Sequence, residues 1–349
     1  MLPEQILENT AYFPSRTQLK EVEELMSKVK DSRLPDKKNG IKPGFLARTD
    51  GFSFEQIDEM IETAGLHDAA LQSRMMSVSD LTPNLYHTFS HNKNSIANWF
   101  EPLKAAANKG KFFKVPETKI VRLPIELAQF IRIEYRETST SDREAFNKFI
   151  FDAFELEDGK TYFIKTGNFS SKFQFANAKC SEPREMGEYF QVINNFAMEV
   201  GAGSTIDLTV REYIEDIEGN PTIYNGMPLR TEFRAFVDFD KNKVFGTVPY
   251  WDPTVMKNVL KNQAIASLNP NIMRDFETYL TQEDKLNREF NDNVTRINRE
   301  IESLIKDVDL SGQYSIDVMK NGNDFYLIDM ALMSESALVN LLPEHPYSN

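Results

Sequence analysis

The segment "YFIKTGNFSSKF", Tyr162 to Phe173, ends an apolar run on a lysine and follows it with glycine, an amide, two serines and a second lysine. A plain turn needs the glycine and the asparagine for their backbone freedom. It does not need two ammonium groups around a run of small donors. That arrangement suits a phosphate chain, and its candidate contacts are Lys165, Gly167, Asn168, Ser170, Ser171 and Lys172.

A second constellation is acidic. "YSIDVMKNGNDFYLIDMAL" is two β-rich runs around "KNGND", a hairpin signal. Asp317 and Asp329 stand in it among Ile, Val, Leu and Met, where a carboxylate is costly to bury unless it is paired or holds a cation. A loop centred on Asn323 sets the two acids directly opposite each other. Mg²⁺, a hard cation that takes oxygen ligands, would relieve their repulsion and keep sites for phosphate. A tight Asn321-Gly322 turn instead shifts the register and sends the two side chains to opposite faces. The plainer alternative is a solvent-facing edge hairpin.

Two further runs carry weaker signals. In "LRTEFRAFVDF" period two puts Leu229, Thr231, Phe233, Ala235 and Val237 on one face and Arg230, Glu232 and Arg234 on the other. The charged trio is either a solvated surface or a pair of phosphate-binding arginines oriented by a glutamate. "LTVREYIED" is an apolar strand that turns acidic at Glu215 and Asp216. A strand that borders an adenine through its backbone and a ribose through a carboxylate has this form, and so does any strand that ends in a loop.

Other chemistries are disfavoured. His87 and His91 in "HTFSH" have i,i+4 spacing, but no glutamate follows the first and the segment lacks a clear helical pattern, which argues against zinc. Four histidines and one cysteine leave little material for a Cys/His metal site or a Cys–His nucleophile. No GxxxxGK[ST], GxGxxG or GxSxG occurs, and Lys165 lacks the KxDG context of a covalent nucleotidyl-lysine. Cys180 is expected to pack as a small apolar residue.

The elements that must position these residues change in texture along the chain. "SRTQLKEVEELMSKVK" spaces Leu19, Val22, Leu25, Met26 and Val29 as a helix with one buried stripe, and "SFEQIDEMIETAG" reads as a second helix from a Ser53 cap to Gly65. Residues 1–98 are therefore expected to be a helical N-terminal region. From Trp99 onward strands and helices mix: "TKIVRLP" and "KTYFIKT" as strands, "SDREAFNKFIFDAF" and "EPREMGEYFQVINNFAMEV" as helices. Strands then follow at "TIDLTVREYI", "PLRTEFRAFVDF" and "KVFGTVPYW". A charged helical span over 271–307 precedes the final hairpin. This order predicts an α+β body with largely antiparallel sheets.

Composition sets the limits. The 349 residues are 41% hydrophobic with 26 Phe and 12 Tyr, enough for a large core and for two or three domains. A net charge of −13 argues against broad nucleic-acid or anionic-membrane binding, which needs basic patches. The single cysteine fits a reducing compartment, and neither a secretory signal nor an 18-residue apolar run is expected, so the chain reads as cytoplasmic.

The order of several segments resembles the cell division cycle 123 family, an offshoot of the ATP-grasp fold. The blocks are "WFEPLKAAANKGKFFKVPETKIVRLPIELAQFI", "FIKTGNFSSKFQFANAKC", "TVREYIED", "TEFRAFVDFDKNKVFG" and "SIDVMKNGNDFYLIDMA", together covering about residues 97 to 340. The resemblance implies an ATP-grasp-like domain over 99–349, split near 210 into two α+β subdomains whose sheets enclose a nucleotide cleft. It implies that Lys165 contacts nucleotide phosphates under a closing loop from Gly167 to Lys172. Glu212, Tyr213 and Ile214 would border adenine, and Glu215 would lie near the ribose. Arg234 would reach the phosphates, and Asp317 and Asp329 would hold Mg²⁺. Two departures stand out. Where the family has a metal-ligating Asn and then Pro, this chain has Ala331 and Leu332, so Ser334 or Glu335 becomes the candidate replacement ligand. The family's Gln-Arg pair after the Arg-x-Phe-Val strand is replaced by "GTVPYWDPTVM".

The implied function is ATP-dependent ligation, in which the γ-phosphate activates a carboxylate as an acyl-phosphate for attack by an amine, with a peptide or protein as the acceptor. The alternative is an ATP-binding assembly chaperone that grips a protein partner with little turnover. Lys165 and Arg234 are the expected catalytic pair in the first reading.

Overall fold

The alternating runs after residue 200 become strands, and the charged span after 270 becomes one long helix. A computed structural model describes residues 81–343 apart from 82, 134, 200, 201, 203, 204 and 260–269. The helices expected over 15–30 and 53–65, with most of the N-terminal region expected over 1–98, lie outside the described residues. The elements in order are α1 (Pro83–Ser90), α2 (Phe100–Gly110), β1 (Phe113–Lys114), β2 (Thr118–Arg122), α3 (Ile125–Phe130), α4 (Thr140–Ala153), β3 (Tyr162–Thr166), α5 (Phe175–Ala178), β4 (Lys179–Cys180), α6 (Met186–Glu199) and β5 (Asp207–Glu212). There follow β6 (Thr222–Ile223), β7 (Met227–Pro228), β8 (Glu232–Asp238), β9 (Lys243–Pro249), α7 (Pro270–Leu304), β10 (Gln313–Asn321) and β11 (Asp324–Leu332). Helices segregated from antiparallel ladders make this an α+β fold. Among the described residues no helix is long and apolar enough to cross a membrane.

The chain forms two compact units, neither continuous in sequence. The first takes the described part of 1–98 with Lys119–Ser171 and Cys180–Val210. Its four-stranded sheet runs β2-β5-β3-β4. Ile164 and Leu208 from the strands, Phe146, Ile150 and Phe154 from α4 and its end, and Phe190 and Ile193 from α6 share one core. Ser139 starts α4 by accepting the Asp142 amide at 3.1 Å, a cap worth about 1 kcal/mol. Asn147 of α4 accepts the Glu188 amide of α6 at 3.0 Å. Gly187 allows that approach, since a Cβ there would lie 2.7 Å from Asn147 Oδ1. His87 lies within α1, which corrects the reading of that segment as lacking helix.

The second unit takes Trp99–Thr118, Lys172–Lys179 and the chain from Arg211 on. Its five-stranded sheet runs β1-β11-β10-β8-β9. The β11–β10, β10–β8 and β8–β9 ladders are antiparallel, and the two-residue β1 adds a parallel edge to β11. Helix α7 covers one face of this sheet. Phe233 stacks on Phe290 with centroids 5.3 Å apart, and Thr247 Oγ1 donates to Asn298 Oδ1 at 2.6 Å. The apolar face read in "LRTEFRAFVDF" is thus the helix-covered face. The opposite face carries Arg234 of β8 and Asp317 of β10, with Asp329 of β11 paired beside them.

Candidate functional site

The hairpin sets the geometry. Asn321 pairs with Asp324, so the turn is the two-residue Gly322-Asn323, with Gly322 at φ 63 as a type II′ turn asks of its first central residue. Neither turn considered from sequence is the one found. An unbroken ladder from this turn would set Asp317 opposite Ile328. A bulge intervenes: Val318 pairs with Leu327, Ile328 is passed over, and Asp317 pairs with Asp329. The two acids therefore stand opposite each other after all. On the other side of β10, Asp317 pairs with Arg234 of β8. Arg234, Asp317 and Asp329 thus form a row across three adjacent strands.

Arg234 and Asp317 meet as a fork. Nε donates to Oδ1 and Nη2 to Oδ2, both at 2.7 Å, with the side chains 12% and 7% exposed. Such bidentate pairs are the strong class of ion pair. Burial works against the charge of Arg234, but the Asp317 carboxylate outweighs it and holds the guanidinium above its ordinary value. The charged trio is no solvated face, because Arg230 is 5% and Glu232 9% exposed. Burial pushes the Glu232 carboxyl up to about 7; Lys172 pulls it down and Asp317 pushes it further up. Burial also lowers the Lys172 ammonium, against the pull of Glu232. Glu232 is therefore a group here that changes charge near neutral pH.

Arg230 has a different environment from Arg234. Its guanidinium donates to Asp216 Oδ1 at 3.0 Å and to the Ile214 carbonyl at 2.7 Å, with Met319 Sδ at 3.3 Å. It braces the segment after β5. In that segment the Glu212 amide is bonded to Glu117, the Ile214 carbonyl to Arg230, and the Glu215 carbonyl accepts from Asn321 Nδ2 at 2.9 Å. Tyr213 lies with Lys179 Nζ 4.0 Å from its ring centre.

In the first unit, Lys165 is 2% exposed at the end of β3. Gly167 is pinned rather than mobile. Its amide donates to the Asp207 carbonyl at 2.8 Å and to Thr205 Oγ1 at 2.9 Å, and a Cβ there would lie 2.5 Å from Ser95 Oγ. Asn168 donates its amide to the Ala202 carbonyl at 3.1 Å, and its buried Oδ1 is left without a partner among the described residues. An acceptor oxygen is the wrong polarity for phosphate. Ser171 is fully buried at φ 48, and its Oγ has no partner among the described residues. A strained residue with an unmade hydrogen bond costs about 1–3 kcal/mol and is a mark of a functional position. Ser170 is half-buried.

A metal has two acids here. Among the described residues no three His, Cys, Asp or Glu side chains gather as a metal-holding group, so Glu335, exposed on the turn Met333–Glu335, does not complete a set with Asp317 and Asp329. Mg²⁺ commonly takes one or two carboxylates and fills its shell with phosphate and water. The opposed pair fits that mode if Arg234 yields its hold on Asp317. Cys180 is buried and its thiol is pushed up to about 11 by burial, which suits a packing role.

The sequence reading missed two residues. Arg211 donates through Nη1 to the carbonyl of the bulged Ile328, and burial pulls its guanidinium down to about 10. Tyr250 has Lys172 Nζ 3.7 Å and Arg234 Cζ 4.6 Å from its ring centre. The signal for Tyr250 was present in "VPYWD", the aromatic pair that stands where the Gln-Arg pair is absent.

No family model matches the chain, and no curated protein matches it. Among solved structures it is similar to Cdc123 from Schizosaccharomyces pombe, at 13% identity and a TM-score of 0.40, over 70% of this chain and 86% of that one. It is similar to D-alanine–D-alanine ligase from Bacillus anthracis complexed with ATP, at 9% identity and a TM-score of 0.31, over 73% of this chain and 61% of that one. It is also similar to N5-carboxyaminoimidazole synthetase from Staphylococcus aureus complexed with ADP, at 10% identity and a TM-score of 0.32, over 80% of this chain and 56% of that one.

Proposed function

We propose that this chain is an ATP-grasp-like protein that binds Mg-ATP and uses it to join a carboxylate to an amine. The observation that carries the reading is the row Arg234–Asp317–Asp329 on one sheet face, with Lys172 and Glu232 beside it. A triphosphate with its cation needs both signs of charge at close quarters, and this row has both. Arg234 offers a planar fork to phosphate oxygens and Lys172 a point charge. Asp317 and Asp329 hold Mg²⁺, which when bound neutralises phosphate charge and fixes its oxygens. Lys165 and the Ser171 hydroxyl are further proposed phosphate contacts, each supported by its burial. Glu212, Tyr213 and Ile214 are proposed to border the adenine, and Glu215 the ribose.

In the proposed reaction an acceptor carboxylate oxygen attacks the γ-phosphorus and ADP leaves. The amine then attacks the acyl carbon and phosphate leaves. The chain supplies positioning and charge, and no side-chain nucleophile is required. A peptide or protein is the proposed acceptor and the cytoplasm the proposed location.

Calorimetry with ATP tests the binding. The unmodified chain is expected to bind more tightly with Mg²⁺ than without. Asp329→Asn should lose most of that difference while keeping the Mg-free affinity; equal loss in both conditions would make the aspartate structural. Lys165→Met, which keeps the buried volume, should bind ATP at least tenfold more weakly. ADP release on adding acceptor pools tests ligation separately, and its absence from an ATP-binding chain would remove the reaction and leave the binding.

A further inference from the structure

Among the described residues Tyr250 is the one aromatic ring placed against both Lys172 and Arg234. Lys172 arrives from the turn Lys172–Gln174 and Arg234 from β8, so nothing in the local chain brings them together. Lys172 Nζ lies 3.7 Å and Arg234 Cζ 4.6 Å from the Tyr250 ring centre. Two like charges converging on a site repel each other. The negative face of an aromatic ring is a neutral group that attracts both.

The ring is fixed by its surroundings. The Tyr250 amide donates to the Glu232 carbonyl at 3.0 Å, which ties its backbone to β8 two residues from Arg234. Its ring meets Trp251 edge-on, with centroids 4.9 Å apart and planes at 71°. Trp251 is 4% exposed, and its Nε1 donates to the Arg230 carbonyl at 2.9 Å. The Tyr279 hydroxyl donates to the Trp251 carbonyl at 3.0 Å. Backbone and neighbour are thus held by four separate contacts, and the ring is a pre-set surface rather than an adaptable one.

We infer that Tyr250 is a positioning residue that sets Lys172 and Arg234 at a fixed separation, making the pair a grip for a polyphosphate rather than for a lone carboxylate. The inference rests on the nucleotide reading for its ligand. It uses the face of the ring and not the phenol hydroxyl.

The experiment uses the full chain with three variants: Tyr250→Phe, Tyr250→Leu and, should the leucine variant not fold, Tyr250→Met. Two quantities are read, affinity for ATP and for inorganic tripolyphosphate by calorimetry, and the rate at which Lys172 is acylated by an amine reagent, followed by peptide mass spectrometry without ligand. Tyr250→Phe is expected to stay within about twofold of the unmodified chain in both. The aliphatic variants are expected to lose about tenfold in both affinities, the scale of a desolvated cation–π contact, and to label several-fold faster at Lys172. Aliphatic variants that bind and label like the unmodified chain would overturn the inference. So would a phenylalanine variant as weak as the leucine one, which would give the role to the hydroxyl. If the unmodified chain binds neither ATP nor tripolyphosphate, the nucleotide reading fails, and the labelling rates decide alone whether the ring places Lys172.

Discussion

Glu232 pairs an acid's side chain with surroundings that oppose its charge. Its folded value, raised to about 7 chiefly by burial, lies above the ordinary glutamate value of 4.5. Between those two values the folded state holds a proton that the unfolded chain has released. Stability therefore falls as pH rises from about 4.5 to 7 and stays reduced above that window. Glu232→Gln removes the titration. The variant is expected to match the parent near pH 4 and to exceed it by about 3 kcal/mol near pH 8, read as melting temperature across pH. A constant offset at all pH values would show that Glu232 is not the titrating group. Residue types were legible at this scale, and their partners were not. Arg230 and Arg234 look equivalent in "LRTEFR", yet one braces Asp216 and the other grips Asp317. The difference lies in which strand passes beside each, and that is fixed by pairings far away in sequence.

Strands and helices were legible where period and punctuation agree. Ser139 before "TSDREAF" and the alternation in "EFRAFVD" give α4 and β8 their places, and "KNGND" marks the final hairpin. Register was not legible, because it depends on one residue that no local rule identifies. The Gly322-Asn323 turn and the omission of Ile328 each shift the ladder by one, and their shifts cancel at Asp317 and Asp329. The turn can be tested by itself. Gly322 holds φ 63, where an alanine costs roughly 1 kcal/mol, and its new Cβ would meet the movable end of Ile217 at 2.7 Å. Gly322→Ala is expected to lower the melting temperature by a few degrees and to reduce Mg-dependent ATP affinity as the register loosens. Gly322→Asn should lose less, since asparagine tolerates this backbone region. An alanine variant more stable than the parent would mean that the turn has another shape.

At the scale of the whole molecule the charge of −13 and the cationic side chains of the row point in opposite directions. A long polyanion samples the average surface, whereas the proposed nucleotide would sample one face of one sheet. The chain is expected to pass through heparin near physiological ionic strength, about 0.15 M, while still binding tripolyphosphate in free solution. Retention on heparin at that salt would reveal a basic surface that the net charge conceals. The N-terminal stretch was legible only as helical periodicity, and the units divide the chain in a discontinuous way that no composition shift marks. The bulge reaches further than its own strand. The residue that squares the two acids also leaves a carbonyl outside the ladder, and Arg211 occupies it. Deleting that residue during descent would strand a guanidinium in the interior, and replacing the arginine would leave the carbonyl unanswered. Lineages of this protein should accordingly inherit or discard the pair together, a joint bookkeeping visible in any set of diverged relatives.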